Sequence, residues 1–139
     1  MEKNTKKIVN IVLLIIWLFV IFYFSNQPGN LSSSLSDNLT LFIFNNITDF
    51  LIFIVRKIAH ISEFFILAIL MYNVFKDYLS SKKSYLITFI LSILYACSDE
   101  IHQLFVVGRE CLPRDVVIDA IGVILALIFI KLYNNRKLV

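Results

Sequence analysis

The chain is 139 residues long and too apolar for a soluble domain of that size. Hydrophobic residues make up 59% of it, whereas typical soluble domains contain roughly 45–50%. The formal net charge is only +3, and the basic residues do not gather on one face, so we do not expect nucleic acid as a partner. One of the two cysteines lies in an apolar run and the other in a loop, which does not predict a disulfide framework.

Four apolar segments approach the length of about 20 residues that a membrane-spanning helix needs. The predicted spans cover approximately residues 8–24, 58–75, 85–105 and 116–133. The sequence therefore predicts an all-α membrane protein, with a bundle of about four transmembrane helices plus an extracytoplasmic amphipathic segment. Residues 1–139 are expected to form a single domain.

The longest predicted connection covers residues 25–57, between the first and second spans. It begins with a polar, turn-rich stretch, and residues 39–55 are then apolar with polar interruptions at Asn45, Asn46, Thr48 and Asp49. Three interpretations stay open for residues 39–55: an amphipathic helix at the membrane surface, an extension of the second helix, or a fifth span. The polar interruptions favour the surface helix.

The distribution of lysine and arginine predicts the orientation, since short cytoplasmic loops are enriched in both. The basic residues of segments 1–7, 76–83 and 131–137 all fall on one side of a four-span bundle. Only Arg56, Lys57, Arg109 and Arg114 fall on the other side. We therefore expect a multi-pass protein of the cytoplasmic membrane, with both termini in the cytoplasm.

The acidic residues have the opposite distribution. Of the ten Asp and Glu residues, only Glu2 and Asp77 fall on the cytoplasmic side, and both histidines lie in the outer half. A charge buried in hydrocarbon costs at least several kcal/mol unless it is paired or hydrated. Glu63, Asp99 and Asp119 lie inside predicted spans, so they should face the bundle interior or a water-filled cleft.

Helical spacing, at roughly 100° per residue, groups these side chains into one polar face on each helix. Gly122 extends the face of the fourth helix and would allow a close approach between helices. Glu100 points away from the face of its neighbour Asp99, towards another helix or water. The faces consist of Lys57, His60 and Glu63 on the second helix, Tyr95, Asp99, His102 and Gln103 on the third, and Asp115 and Asp119 on the fourth, with Ser25 and Gln27 arriving from the first.

A purely structural interpretation stays open for several of these residues. Polar side chains near helix ends are often only interfacial, and Arg109 and Arg114 in the predicted loop fit that description. The histidines and carboxylates could form a hydrogen-bonded network that only stabilises packing. For Tyr95 and Gln103 this structural interpretation is the simpler one.

Four motifs give the chain a resemblance to the VanZ-like membrane protein family. They are FSNQP at 24–28, RKIAHISEF at 56–64, SDEIHQ at 98–103 with Gly-Arg at 108–109, and RDVVIDAIG at 114–122. The resemblance covers about residues 17–130, with departures at Val107, where the family often has proline, and at Cys111. It implies a bacterial cell-envelope protein associated with glycopeptide antibiotics, because the founding member is linked to teicoplanin resistance. It does not supply a reaction.

The first function hypothesis is an enzyme acting on a lipid-linked or lipid-like envelope substrate at the outer leaflet. Carboxylates beside imidazoles can relay protons near neutral pH, and arginines can hold phosphate or carboxylate groups. Asp99 would orient or activate His102, and His60 with Glu63 would form a second pair. The candidate catalytic residues are His60, Glu63, Asp99, His102 and Asp119. The candidate substrate-binding residues are Ser25, Gln27, Arg56, Lys57, Glu100, Gln103, Arg109, Arg114 and Asp115.

Two other hypotheses compete with the enzyme. One is a non-catalytic protein that binds or shields a lipid head group or a lipophilic glycopeptide, and the other is a proton-coupled transporter, which short helices without inverted repeats disfavour. The expected partners are membrane lipids together with a lipid-linked envelope precursor or a lipophilic glycopeptide. A divalent metal is compatible with His and carboxylate ligands at helical spacing, but this mixed set does not identify an ion.

Overall fold

The computed structural model describes residues 2–28, 38, 49–109 and 111–136. Its helices are α1 (Glu2–Ser25), α2 (Asp49–Phe75), α3 (Ser81–Gln103) and α4 (Pro113–Arg136), and the described residues contain no strand. Each helix has a segment long and apolar enough to cross a membrane, with mean hydropathy between 1.3 and 2.7. The predicted all-α bundle of four spans is confirmed.

The second helix begins at Asp49 and not at residue 58, so it takes in the last part of the 39–55 stretch. For residues 49–55 the extension interpretation is therefore the correct one, and the separate surface helix favoured by the sequence is wrong there. The physical reason is that the polar interruptions all precede Phe50, after which the chain is apolar enough to continue α2. Residues 39–48 lie outside the described residues.

The loop between α3 and α4 contains two conformationally restricted positions. Gly108 has φ 75°, in the left-handed region that side chains with a Cβ rarely occupy. Pro113 is the first residue of α4, where its missing N–H costs nothing because the first N–H groups of a helix have no partner within it. These two residues turn the chain from the end of α3 into the start of α4.

The second helix is central to the bundle, because it packs against α1, α3 and α4. Its buried Phe64 and Leu67 meet Ile21 of α1 and Val123 of α4 in the hydrophobic core. The third helix instead presents small residues at every fourth position, which lets neighbouring helices approach closely. These buried residues of α3 are Ser84, Thr88, Ser92 and Ala96.

The outer surface of the bundle is apolar. Phe19 of α1, Leu94 of α3 and Phe129 of α4 are each more than half exposed, and they belong to a long series of exposed aliphatic and aromatic side chains. An apolar exterior around small and polar interior residues is the reverse of a soluble protein and suits a lipid environment. The chain is thus a multi-pass membrane protein.

Helices α2 and α4 approach each other closely at Gly122. A Cβ atom placed on Gly122 would lie 2.3 Å from the carbonyl oxygen of Ile61, much closer than real Cβ contacts allow. The predicted role of this glycine in close helix approach is confirmed. The approach brings the Lys57–His60 segment of α2 alongside the first two turns of α4.

Candidate functional site

Polar side chains from the four helices reach the same end of the bundle. We call this region the polar end, and it contains the end of α1, the start of α2, the end of α3 with the loop that follows it, and the start of α4. Five of the described polar or charged residues lie there with at most 7% exposure, and three of them are carboxylates, which are rarely buried so completely. The five are Ser25, Asp99, Glu100, Gln103 and Asp119.

Two charge contacts join α2 to α4 at the polar end. Lys57 Nζ lies 2.6 Å from Asp115 Oδ1, with both side chains 13% exposed. One turn deeper, His60 Nδ1 lies 3.3 Å from Asp119 Oδ1. The polar faces predicted for these two helices therefore contact each other, with Lys57 next to Asp115 and His60 next to Asp119.

Asp119 is the most buried of the ionisable groups named at the polar end, at 1% exposure. Neither of its carboxylate oxygens accepts a hydrogen bond from any residue that the structure describes, and His60 Nδ1 donates none within the same residues. The His60–Asp119 contact is thus an ion-pair contact without hydrogen-bond alignment. Because buried polar groups are normally hydrogen-bonded, Asp119 keeps unused acceptor capacity for water or a ligand.

The third helix adds Asp99 to this region. Gln103 Nε2 donates to Asp99 Oδ2 at 3.1 Å, and the buried Ser25 hydroxyl at the end of α1 lies beside the same carboxylate. Glu63 of α2 interacts electrostatically with Asp99 and Asp119. The carboxylates of three helices therefore lie within interaction distance of one another, as the sequence predicted.

Unpaired polar atoms are concentrated at the polar end. Within the described ranges, the buried atoms without a hydrogen-bond partner include groups from all four helices at this end. Because buried polar groups are normally hydrogen-bonded, the polar end has several groups that can still form hydrogen bonds. The atoms are Ser25 Oγ, His60 Nδ1, Glu100 Oε1, His102 Nε2 and both carboxylate oxygens of Asp119.

The pairing of acids with histidines differs from the predicted pairing. His60 contacts Asp119 of α4, not Glu63 of its own helix. Asp99 accepts its hydrogen bond from Gln103, and the His102 ring packs on Phe22 at a centroid distance of 4.8 Å. Helical spacing identifies neighbours along one helix, whereas the partner of His60 depends on the close approach of α2 and α4.

Arg109 and Glu100 have structural contacts that spacing did not predict. Arg109 Nε donates to the Gln27 carbonyl oxygen at 3.1 Å and Nη2 to the Phe24 carbonyl oxygen at 3.2 Å, so it caps the end of α1. Burial, together with the nearby charge of Arg56, lowers the pKa of Arg109. Glu100 Oε2 accepts the Leu112 N–H at 3.0 Å, next to the start of α4.

Two predicted binding residues do not join the buried cluster. The Gln27 side chain turns back to donate to the Tyr23 carbonyl oxygen of its own helix at 3.2 Å. The Arg114 side chain is 65% exposed, with its Nε 3.7 Å from Asp115 Oδ1. Both residues lie at the rim of the polar end, where water competes for their charges and dipoles.

Aromatic residues hold α1 against the site, a role that their positions in the sequence do not predict. Trp17 Nε1 donates to the Glu63 carbonyl oxygen at 3.0 Å, and the Tyr95 hydroxyl donates to the Leu18 carbonyl oxygen at 2.9 Å. Tyr95 thus fits the structural interpretation. A polar atom on a Trp or Tyr inside an apolar run is a weak signal for such an anchor.

A metal site would need several His or carboxylate side chains around one point. Among the residues that the structure describes, no group of three or more His, Cys, Asp or Glu side chains is placed to hold a metal ion. The two histidines also contact different helices: His60 contacts Asp119 of α4, whereas His102 packs on Phe22 of α1. Binding of a divalent metal stays a prediction, and the described residues identify no set of ligands for it.

Replacing Lys57 by Ala is expected to lower the free energy of unfolding by about 1–3 kcal/mol, because it leaves Asp115 with little solvent and no ammonium partner. Unfolding in detergent measures the change. Lys76→Ala is the control, since Lys76 Nζ bonds an exposed Asn73 side chain at 2.6 Å. If Lys57→Asp with Asp115→Lys recovers none of the lost stability, the ion pair is not the cause.

Replacing Arg109 by Ala is expected to destabilise the end of α1 by about 1–3 kcal/mol, because two carbonyl groups lose charged donors. Hydrogen exchange of the amides near Phe24 should rise, while exchange in the middle of α3 stays unchanged. Arg114→Ala provides the matched loss of charge at the rim. Equal effects of the two substitutions would show that Arg109 does not cap α1.

The comparisons with known proteins give one family. The family model described as VanZ/LLP1 matches residues 10–134, which is nearly the whole chain. No curated protein and no solved structure matches it. The matched region contains α2, α3 and the loop to α4 completely, and with them the polar end. The chain belongs to the VanZ/LLP1 family.

Proposed function

We propose that the protein binds the polar head of a lipid-linked or lipid-like cell-envelope substrate at the polar end and transforms it by acid–base chemistry. The observation that supports this most directly is the contact between His60 and Asp119. It joins an imidazole to a carboxylate at 3.3 Å, and both oxygens of that carboxylate lack a hydrogen-bond partner among the described residues.

The proposed chemistry follows from the two groups. An imidazole exchanges protons near neutral pH, so His60 serves as the general base or acid. Asp119, which is almost completely buried, lies 3.3 Å from the ring and stabilises the imidazolium when it forms. The His60 side chain is 14% exposed, so a substrate that enters at the polar end can reach the ring.

The depth of His60 favours a membrane lipid as substrate. The second span predicted from the sequence begins near residue 58, so His60 lies within about one turn of the predicted membrane boundary. That depth corresponds to the region of lipid head groups and the first acyl carbons. Arg56 lies one turn before His60 and carries a guanidinium, a group that can hold a phosphate or carboxylate of the head group.

The charge distribution supports the proposed placement in the cell. Basic residues concentrate at the opposite end of the bundle, as expected for an end that lies, with both termini, in the cytoplasm. The polar end would then face outwards in the cytoplasmic membrane of a bacterium, where wall precursors are exposed. A role in the response to glycopeptides such as teicoplanin fits this placement.

Binding without catalysis is the second candidate, and the unpaired buried atoms favour it. A head group or a lipophilic glycopeptide would satisfy these atoms without any bond being broken. Arg109 and Glu100 are already held by backbone groups, which gives such a pocket a fixed shape. A protein of this kind would act by shielding the bound head group or glycopeptide from other molecules.

Reconstitution in liposomes distinguishes the two candidates. The full chain is incubated with polyprenyl-phosphate-linked wall precursor, and lipids and released products are identified by mass spectrometry. For an enzyme, we expect the natural chain to generate a product and His60→Gln to bind precursor normally without generating it. Binding by the natural chain without any product would support the shielding role. Neither binding nor product, together with unchanged teicoplanin susceptibility of a deletion strain, would contradict both.

A further inference from the structure

A cleft of about 650 Å³ opens between the start of α3 and the end of α4. It lies at the end of the bundle opposite to the polar end and includes none of the residues assigned to the site above. Lys82 of α3 and Lys131 of α4 both line it, together with Ile128 of α4 about one turn deeper. The cleft therefore needs a separate explanation.

The mouth of the cleft is cationic. Lys82 and Lys131 are exposed, and neither forms a hydrogen bond or an ion pair with any residue in the described part of the chain. Ser81 and Asn135 add neutral hydrogen-bonding groups beside them. Two ammonium groups from different helices form a site suited to an anion, since none of the described residues that line the cleft is acidic.

The inner part of the cleft is apolar. Ile124, Leu127 and Ile128 line it, and Ile124 lies about 10 Å further into the bundle than Lys131 at 1.5 Å per residue. Ile124 and Ile128 are 45% and 51% exposed, so their side chains face the surroundings of the bundle. Charge at the mouth and hydrocarbon one to two turns deeper match the two parts of a lipid.

Hydrogen bonds hold the back of the cleft. Asn134 Nδ2 donates to the Tyr72 hydroxyl at 3.2 Å and to the Tyr85 hydroxyl at 3.4 Å, and the two tyrosine rings lie 4.8 Å apart. Since these residues belong to α2, α3 and α4, the cleft has a fixed shape before any ligand arrives. This distinguishes it from lysines scattered on a helix surface.

We propose that this cleft binds an anionic glycerophospholipid. The phosphate lies between Lys82 and Lys131, and one acyl chain follows Ile124, Leu127 and Ile128 towards the middle of the membrane. The charge complementarity selects the head group, while the apolar wall selects a lipid over a free phosphate ion. This inference is independent of the function proposed for the polar end.

Native mass spectrometry of the detergent-solubilised chain tests the proposal. Phosphatidylglycerol and phosphatidylcholine with identical acyl chains serve as probes. We expect tighter binding of phosphatidylglycerol by the natural chain. The double variant Lys82→Gln/Lys131→Gln should weaken it by about 25-fold, or roughly fivefold per lysine. Phosphatidylcholine binding should not change. The control is Lys83→Gln/Arg136→Gln, which removes the same charge at the same end of the bundle outside the cleft.

Three results would overturn the proposal. The first is equal binding of the two lipids by the natural chain, and the second is an equal loss of phosphatidylglycerol binding in the control variant. The third is competition by inorganic phosphate at the concentration at which the lipid binds, which would identify the ligand as a phosphate ion. Because the substituted lysines are exposed, unchanged melting temperatures will show that the variants are folded.

Discussion

Replacing Asp119 by Asn is expected to lower turnover of the lipid substrate by about 10²–10⁴-fold, the range typical for loss of acid–base catalysis. The amide has nearly the same shape as the carboxylate but cannot stabilise an imidazolium on His60, 3.3 Å away. Liposome turnover measures the effect. The stability of the protein should not fall, because the substitution removes a charge from a position with 1% exposure and the remaining imidazole of His60 can lose its proton near neutral pH.

Asp77→Asn is the matched control, since it makes the same chemical change at the opposite end of the bundle. The double variant His60→Gln/Asp119→Asn provides a second test of the contact. If the two residues act as a unit, the double variant loses no more turnover than the more damaging single variant. Losses that multiply would show that His60 and Asp119 contribute separately and would contradict the assignment of the pair.

Replacing Gly122 by Val is expected to destabilise the bundle by about 3 kcal/mol or more, at the upper end of typical overpacking effects. Even its Cβ would lie 2.3 Å from the Ile61 carbonyl oxygen, and a backbone atom cannot rotate out of the way as a side chain can. The substitution therefore forces α2 and α4 apart. Thermal unfolding in detergent should show a lower midpoint than that of the natural chain.

Gly122→Ala should have the same sign with a smaller effect, and Ile121→Val is the control on the lipid-facing side of α4, where the side chain is 44% exposed. Turnover should fall as well, since separating the helices separates His60 from Asp119. Normal stability and turnover in Gly122→Val would mean that α2 and α4 are not in contact at this glycine.

The four spans could be predicted from the sequence because lipid exposure requires long, nearly continuous apolar segments. Phe19, Leu94 and Phe129 illustrate this, since each lies in such a segment and faces outwards. The start of α2 at Asp49 was missed because four polar residues just before Phe50 suggested a separate surface element. Hydropathy measures the preference for lipid and does not mark where a helix begins.

The grouping of the site residues could also be predicted in part. Helical periodicity placed Lys57 with His60 and Asp115 with Asp119, and the topology placed both pairs at one end. The contact between His60 and Asp119 depends on the crossing of α2 and α4, which periodicity does not specify. The capping contacts of Arg109 and Glu100 depend on the loop conformation, for which residue spacing carries no signal.

Site-directed disulfide crosslinking measures directly whether α2 and α4 share their polar faces in the membrane. With Cys97 and Cys111 replaced by Ser, the pairs Lys57→Cys/Asp115→Cys and His60→Cys/Asp119→Cys are oxidised in native membranes. We expect both pairs to crosslink rapidly, whereas His60→Cys/Ile128→Cys does not. Failure of both polar pairs, or equal crosslinking of the distant pair, would contradict a common site at the polar end.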